Sequence, residues 1–325
     1  MTQFVEKPFG NALATMGERF PELVVLDADL QRGTETRLFQ SKFPDRYFNV
    51  GVAEANMVGV ATGLALSGKT AFCGTFACFA SQRVCDQAVL AAYCKASVVI
   101  VGVEPGLASG SNGATHQTMV DLALMRAIPN MRVLEPGDAT ETASIMEFLL
   151  EDPAPTYLRV PRGKAPVILE PGSYHFRIGK GVRLVDGGDI TLIACGIMVP
   201  RTLAAADELK RLGINARVVN MSSIKPIDEQ EIILAAKETG CIVTAENHNI
   251  MGGLGSAVAE VAAGCAPVPI IRVGIHDVFG EVGPLDWLAE KFHIASTDVV
   301  EAAMRALSMK KGVTMGYKTG EVDVP

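Results

Sequence analysis

Four short stretches carry residue types that can do chemistry, each at the end of what reads as a strand. In Phe48-Asn49-Val50-Gly51-Val52-Ala53-Glu54 a strand runs into a glycine and then into a helix whose first turn holds Glu54. The helix dipole favours a carboxylate there. Glu54 is then either a plain helix acid or an acid placed to exchange a proton with a bound heterocycle. The second stretch, Gly74-Thr75-Phe76-Ala77-Cys78-Phe79, leads on to Arg83, Asp86 and Gln87. Ligands bind beyond strand ends in parallel sheets, and Phe76 with Phe79 could sandwich a flat ring there; core packing would use the same two residues. The third is residues 104–117, a loop with Gly106, Gly110 and Gly113 that ends in Thr115-His116-Gln117. Long glycine-rich loops inside compact domains are usually functional, and His116 is one of only five histidines. The fourth is Leu158-Arg159-Val160-Pro161-Arg162-Gly163. Arginines at a strand end suit an anion, because guanidinium binds phosphate through paired hydrogen bonds; a surface ion pair is the alternative.

These stretches need a scaffold, and the chain supplies an alternating one. Residues 23–27, 69–74, 98–101, 131–134 and 156–160 read as strands, while 53–66, 81–95 and 138–150 read as helices, the last with an acidic cap. The all-β-branched character of 98–101 is that of a strand buried on both faces of a parallel sheet. Pro161, Pro166 and Pro171 with Gly163 and Gly172 then break the pattern. It starts again with strands at 189–194, 216–220, 241–245 and 269–273, and helices at 199–212, 229–237 and 254–263. The fold class expected is α/β: two domains, each a mostly parallel sheet flanked by helices. The divisions expected are a first domain over 1–160, a linker over 161–188, a second domain over 189–309 and a loose polar tail over 310–325.

With 325 residues, 49% of them apolar, the chain can bury two cores. Its net charge of −7 and the lack of any Lys/Arg run argue against a nucleic-acid partner. There is no secretory signal in the first residues and no apolar run long enough to span a bilayer, so a cytoplasmic protein with no membrane partner is expected. The seven cysteines include no CxxC pair, and buried, reduced thiols are the expectation.

In order and spacing, Asn49-Val50-Gly51-Val52-Ala53-Glu54-Ala55-Asn56-Met57, Thr75-Phe76, Thr115-His116-Gln117, Arg126-Ala127-Ile128-Pro129-Asn130 and Arg159-Val160-Pro161-Arg162-Gly163 resemble the C-terminal half of a transketolase. Lys225-Pro226-Ile227-Asp228, Glu246-Asn247-His248 and Gly252-Gly253-Leu254-Gly255-Ser256-Ala257-Val258 continue the likeness, which runs over residues 5–308. The resemblance implies a pyrimidine-binding domain for thiamine diphosphate, followed by a transketolase C-terminal domain. Glu54 matches the acid that hydrogen-bonds the aminopyrimidine ring, so that the cofactor can deprotonate its own thiazolium carbon and carry a two-carbon fragment. Phe76 and Phe79 match the aromatic wall around that ring, with Arg83 beside it as a further cofactor contact. His116 matches a histidine that contacts the donor sugar and the intermediate. Asp29 matches an acid near the thiazolium and donor. Arg162, with Arg159, matches the holder of the sugar's anionic end.

The resemblance also shows what is missing. The family binds the diphosphate and its Mg²⁺ through a Gly-Asp-Gly motif followed by an Asn. Here Pro136-Gly137-Asp138-Ala139 and Gly187-Gly188-Asp189-Ile190 each lack the second glycine. A partner subunit carrying that half, and the Mg²⁺ ligands, is therefore expected. The assembly expected is a 2:2 heterotetramer, with Gly59 and Gly63 allowing close helix approach at the interface unless they serve tight packing within the domain. Three positions depart from the family pattern. Asn112 stands where an Asp is usual in the substrate loop, Glu104 where a phosphate-binding His is frequent, and Gln82 where an aromatic is common. The function implied is that of the small subunit of a heteromeric transketolase moving a ketol unit between sugars. The alternatives are the β subunit of an enzyme using a 2-oxo acid (deoxyxylulose-phosphate-synthase-like or dehydrogenase-like) and a non-catalytic assembly subunit that has kept the fold.

Overall fold

The computed structural model describes residues 3–312; most of the tail expected over 310–325 lies outside them. In chain order the first part comprises β1 (Phe4–Glu6), α1 (Pro8–Arg19), β2 (Leu23–Asp27), α2 (Arg37–Lys42), β3 (Tyr47–Asn49), α3 (Glu54–Leu66), β4 (Thr70–Phe76), α4 (Cys85–Tyr93), β5 (Val98–Val103), α5 (Asp121–Ala127), β6 (Arg132–Leu134), α6 (Ala139–Glu151), β7 (Thr156–Val160) and β8 (Lys164–Pro166). The second comprises β9 (Val182–Val185), β10 (Ile190–Ala194), α7 (Met198–Arg211), β11 (Ala216–Asn220), β12 (Ser223–Lys225), α8 (Glu229–Thr239), β13 (Ile242–Asn249), α9 (Leu254–Cys265), β14 (Ile270–Ile275), α10 (Leu285–Lys291) and α11 (Ser296–Lys310).

Two large sheets result, in the orders β12-β6-β7-β5-β4-β2-β3 and β14-β13-β10-β11-β9, beside a two-stranded pair of β1 and β8. Every pairing in the first is parallel except β12 on β6, and every pairing in the second except β9 on β11. Helices cover both faces, so interior strands such as β5 and β7 are buried along their whole length. The acidic cap of α6 is as expected: the Asp138 carboxylate accepts from the Glu141 N–H at 2.7 Å, and its other oxygen takes the N–H groups of Ile168 and Leu169.

Two features differ from the sequence reading. The segment 161–188 holds short strands: β8 pairs antiparallel with β1, and β9 forms an edge of the second sheet. The two halves are also interlocked, because β12, deep in the second half of the chain, completes the first sheet. One apolar core accordingly runs from Leu26, Met57 and Ile100 through Val133 and Ile224 to Ile193 and Val258. The helices α1, α2, α5, α10 and α11 add to those expected. In α1, Gly10 and Gly17 lie so close to Glu35 and to the Phe39 and Phe43 rings that any side chain there would collide.

Among the described residues no helix is long and apolar enough to cross a membrane. All seven cysteines are free thiols. Cys73, Cys78, Cys195 and Cys241 are buried as expected, while Cys94 and Cys265 are exposed.

Candidate active site

The carboxyl ends of β2, β3, β4 and β5 open on one edge of the first sheet, and loops from all four meet there. Asp27 ends β2 fully buried. It accepts hydrogen bonds from the Thr34 and Thr36 hydroxyls at 2.5 and 2.8 Å and from the Leu30 N–H at 2.5 Å, which curls residues 28–36 over the edge. Burial pushes its carboxyl pKa up, against those bonds. Sequence reasoning finds in Asp27 only a strand terminus. Asp29 follows in a left-handed conformation, φ 63°, of the kind that concentrates at functional sites. The Asn49 side chain ties it to the end of β3, donating to the Asp29 carboxylate at 3.0 Å and accepting from the Asp29 and Gly51 N–H groups.

Gly51, at φ 73° and with open space where a side chain would be, turns the chain from β3 into α3. Glu54 is the first residue of that helix and is only 5% exposed. Its carboxylate meets the Arg83 guanidinium at 2.9 Å. Arg83 lies 3.9 Å over the Phe79 ring and closes a single π-helical turn, Phe79–Arg83, between β4 and α4; such wide turns recur at functional sites. Phe76 and Phe79 are 6.3 Å apart, and His116 stands edge-on to both at 5.8 and 5.3 Å. Glu54, Phe76, Phe79, Arg83 and His116 thus form one cluster. The two phenyl rings are not parallel. Their planes are 60° apart, giving an aromatic corner with His116 as its third wall.

Residues of the 104–117 loop and Arg162 form a second, connected chain. Asn112 donates to the Ser109 hydroxyl at 3.2 Å, Ser109 to one Glu104 oxygen at 3.3 Å, and Arg162 to the other at 3.3 Å. Arg162 is therefore in an ion pair, but its side chain stays 44% exposed.

Arg159 departs from the anion-binding role expected for it. It is fully buried, with its guanidinium held by Asp121 on two nitrogens at 2.7 and 2.5 Å, by Glu135 at 3.1 Å and by the Asn247 carbonyl at 3.3 Å. Two carboxylates already satisfy it and no face is open to an incoming anion. Burial, the largest single influence, would raise the Asp121 carboxyl, but the Arg159 charge and hydrogen bonds, with His248 and the Tyr157 hydroxyl, together outweigh it and hold that group below its usual range. At Glu135 burial wins and the pKa is raised. Glu246 and His248, also fully buried, extend this network into the second domain. Burial raises Glu246 to about 7, although it accepts from the Leu254 and Gly255 N–H groups at the start of α9, and burial lowers His248 to about 4. The Glu246-Asn247-His248 motif is visible in the sequence, but its role as an interdomain polar core is not.

The cluster around Glu54 fits the pyrimidine ring of thiamine diphosphate. A shielded carboxylate at a helix start, a guanidinium and an aromatic corner face one another beside open space over Gly51, which suits a flat, basic heterocycle. Among the described residues no three His, Cys, Asp or Glu side chains gather to hold a metal.

Both parts of the chain match known proteins. Residues 4–167 match the transketolase pyrimidine-binding domain, and residues 179–299 match the transketolase C-terminal domain. The chain is 44% identical over 299 residues to the 6-deoxy-6-sulfo-D-fructose transketolase subunit SqwH of Clostridium sp. (strain MSTE9), covering 92% of each. It is 39% identical over 273 residues to one of the subunits of the apulose-4-phosphate transketolase of Phocaeicola vulgatus, covering 83% of this chain and 87% of that one. A solved split-gene transketolase, described as an inactive beta4 tetramer, superposes with a TM-score of 0.86 at 43% identity, covering 93% of this chain and 97% of that one.

Proposed function

The chain belongs to the transketolase family, and we propose that it is the small subunit of a split transketolase, supplying the pyrimidine half of a thiamine diphosphate site to a second subunit that supplies the rest. The observation that carries the reading is Glu54, a carboxylate 5% exposed at the start of α3, facing Arg83 and the aromatic corner. Its split relatives, a sulfo-sugar and a sugar-phosphate transketolase subunit, support the same reading.

Bound thiamine diphosphate would supply a nucleophilic carbon that carries a two-carbon ketol unit from a ketose to an aldose. The residues of this chain would bind and orient it. Glu54 would hold a proton at the pyrimidine ring nitrogen, and Phe76 and Phe79 would keep water from that bond and so strengthen it. Arg83, more than half exposed and stacked on Phe79, would neutralise Glu54 until the ring arrives and then line its edge. His116 and Asp29 would contact the reacting end of the sugar. Arg162 would meet its anionic end, exchanging the long contact to Glu104 for the substrate, with Asn112 fixing the loop through Ser109.

The second subunit would hold the diphosphate and Mg²⁺. The surface that would receive it is the outer side of α3 and α4, where Val60, Leu66, Val89, Leu90 and Tyr93 are exposed. Gly59 and Gly63 have no atom within 4 Å of a side-chain position, so they serve no packing inside the domain and leave α3 open to close approach by another chain. A 2:2 assembly in a cytoplasmic setting is the form proposed.

Calorimetry tests the division of labour. With Mg²⁺ present, this chain alone should show no tight binding of thiamine diphosphate, and addition of the diphosphate-binding subunit should restore it. Tight binding by the chain alone would sink the proposal. Release of CO2 from pyruvate by the mixed complex, in place of gas-free transfer from a ketose, would favour the alternative based on a 2-oxo acid.

A further inference from the structure

The loop that carries Asn112 and His116 has three glycines, Gly106, Gly110 and Gly113, and glycine gives a loop wide conformational freedom. Something must hold it if His116 is to stand at a defined place beside Phe76 and Phe79. Within the first domain it is closed by a bridge between Gly106 and Thr118 and by a bond from the His116 N–H to the Gly113 carbonyl at 3.0 Å. Besides these and the Asn112–Ser109–Glu104–Arg162 chain, it is held from the second half of the chain. At the loop's start the Asn247 side chain accepts from the Leu107 N–H at 3.0 Å and donates to the Pro105 carbonyl at 2.9 Å. A side chain on Gly106, at φ 60°, would collide with Asn247. At its far end the segment between β14 and α10 grips it three times. The Gly283 N–H donates to the Gly110 carbonyl at 3.1 Å, the Gln117 amide donates to the Glu281 carbonyl at 2.9 Å, and Val282 fills the space over Gly113.

We infer that Asn247 and the 276–284 segment of the C-terminal domain are positioning elements for the active site: they brace the substrate loop at both ends and so fix where His116 meets the sugar. They act through the loop, as supports that hold a reacting group in productive geometry do. Gln117 is the link, since it adjoins His116 and its side chain is the part held by Glu281. The inference rests on the reading of His116 as a substrate contact only for its effect on kinetics; the brace itself is independent of that reading.

Gly280→Ala is the probe. Its new methyl would collide with the Gln117 side-chain oxygen, so Gln117 must swing away and release Glu281, while the backbone at residue 280 needs no left-handed conformation. In the whole chain, amide hydrogen exchange across 107–117 should quicken by about fivefold, the equivalent of one net hydrogen bond, with the thermal midpoint unchanged. In the two-subunit enzyme the Michaelis constant for the ketose should rise by a similar factor while cofactor affinity holds. Gln117→Ala should do the same, and the double variant should be no worse than either single, because both act through one contact. Faster exchange with unaltered kinetics would support the brace and count against His116 as the substrate contact. Unchanged exchange in Gly280→Ala, or additive effects in the double variant, would overturn the inference.

Discussion

Replacing Arg159 with Met should cost folding stability and leave substrate selectivity alone. Arg159 is fully buried against Asp121 and Glu135. Removing it strands the Asp121 carboxylate, also fully buried, with the Tyr157 hydroxyl at 2.7 Å and a lowered-pKa His248 at 3.9 Å. Breaking a buried pair by removing one partner costs about 3–5 kcal/mol, a large share of the roughly 5–15 kcal/mol that holds a typical domain folded. The pH dependence gives a second signature. In the native protein Asp121 lies below its ordinary 3.8, so its contribution is present above that value and is lost as pH falls through the folded pKa. Without the guanidinium, burial pushes the carboxyl up, and protonation then relieves the stranded charge. The stability deficit should therefore be smaller in mildly acidic than in mildly alkaline buffer. Urea unfolding at one fixed protein concentration, in both buffers, measures it. Wild-type stability together with a selective loss of affinity for an anionic sugar would refute the reasoning and return Arg159 to the substrate site.

Arg162→Ala, in contrast, should raise the Michaelis constant for an anionic sugar far more than for a neutral one, by about 2 kcal/mol if the bond is charge-assisted, and steady-state kinetics on the paired substrates would show it; equal weakening of both would make Arg162 a structural partner of Glu104. His116→Ala should lower turnover on both substrates alike, and a loss confined to the anionic one would move His116 to the distal end. Gly63→Leu, on the open side of α3 where nothing within the chain is disturbed, should leave the isolated subunit folded and block assembly with the second subunit; mass measurement of the co-expressed pair checks this, and an intact complex would place the interface elsewhere.

The alternating scaffold is legible because its signals are local. The run Val98–Val103 is apolar because both faces of β5 are covered, and Asp138 caps α6 through a neighbour three residues on. The pieces that escape a sequence reading depend on distant partners. No pattern in Ser223–Lys225 tells that these residues pair with Leu134 and Val133 across the domain boundary. Helix α1 contains two glycines that weaken it in isolation and serve it only once the Phe39 and Phe43 rings close over it. Helix α11 is different: its buried face of Val299, Ala302, Ala303 and Ala306 is a readable signal, although no helix was expected there. At the site, Glu54, Phe76, Phe79, Arg83 and His116 are legible through the resemblance to the family's motifs; their positions alone leave Glu54 as a plain helix acid and the two phenylalanines as core. Arg159 misleads because it lies inside β7, whose side chains are buried on both faces, whereas Arg162 lies beyond the strand and stays open. Gly59 and Gly63 cannot be assigned to a tight internal contact or an open surface until the space around them is known.

The central claim is that Glu54 is the proton-exchanging acid of a thiamine diphosphate site shared between two chains. The most direct test is the rate of hydrogen–deuterium exchange at the thiazolium carbon of the cofactor in the two-subunit enzyme, with no sugar present. Glu54→Gln should keep the fold and the assembly and slow that exchange by ~10²–10⁴-fold, the usual cost of losing a positioned acid or base. Exchange at the wild-type rate in a fully assembled Glu54→Gln complex would contradict the account.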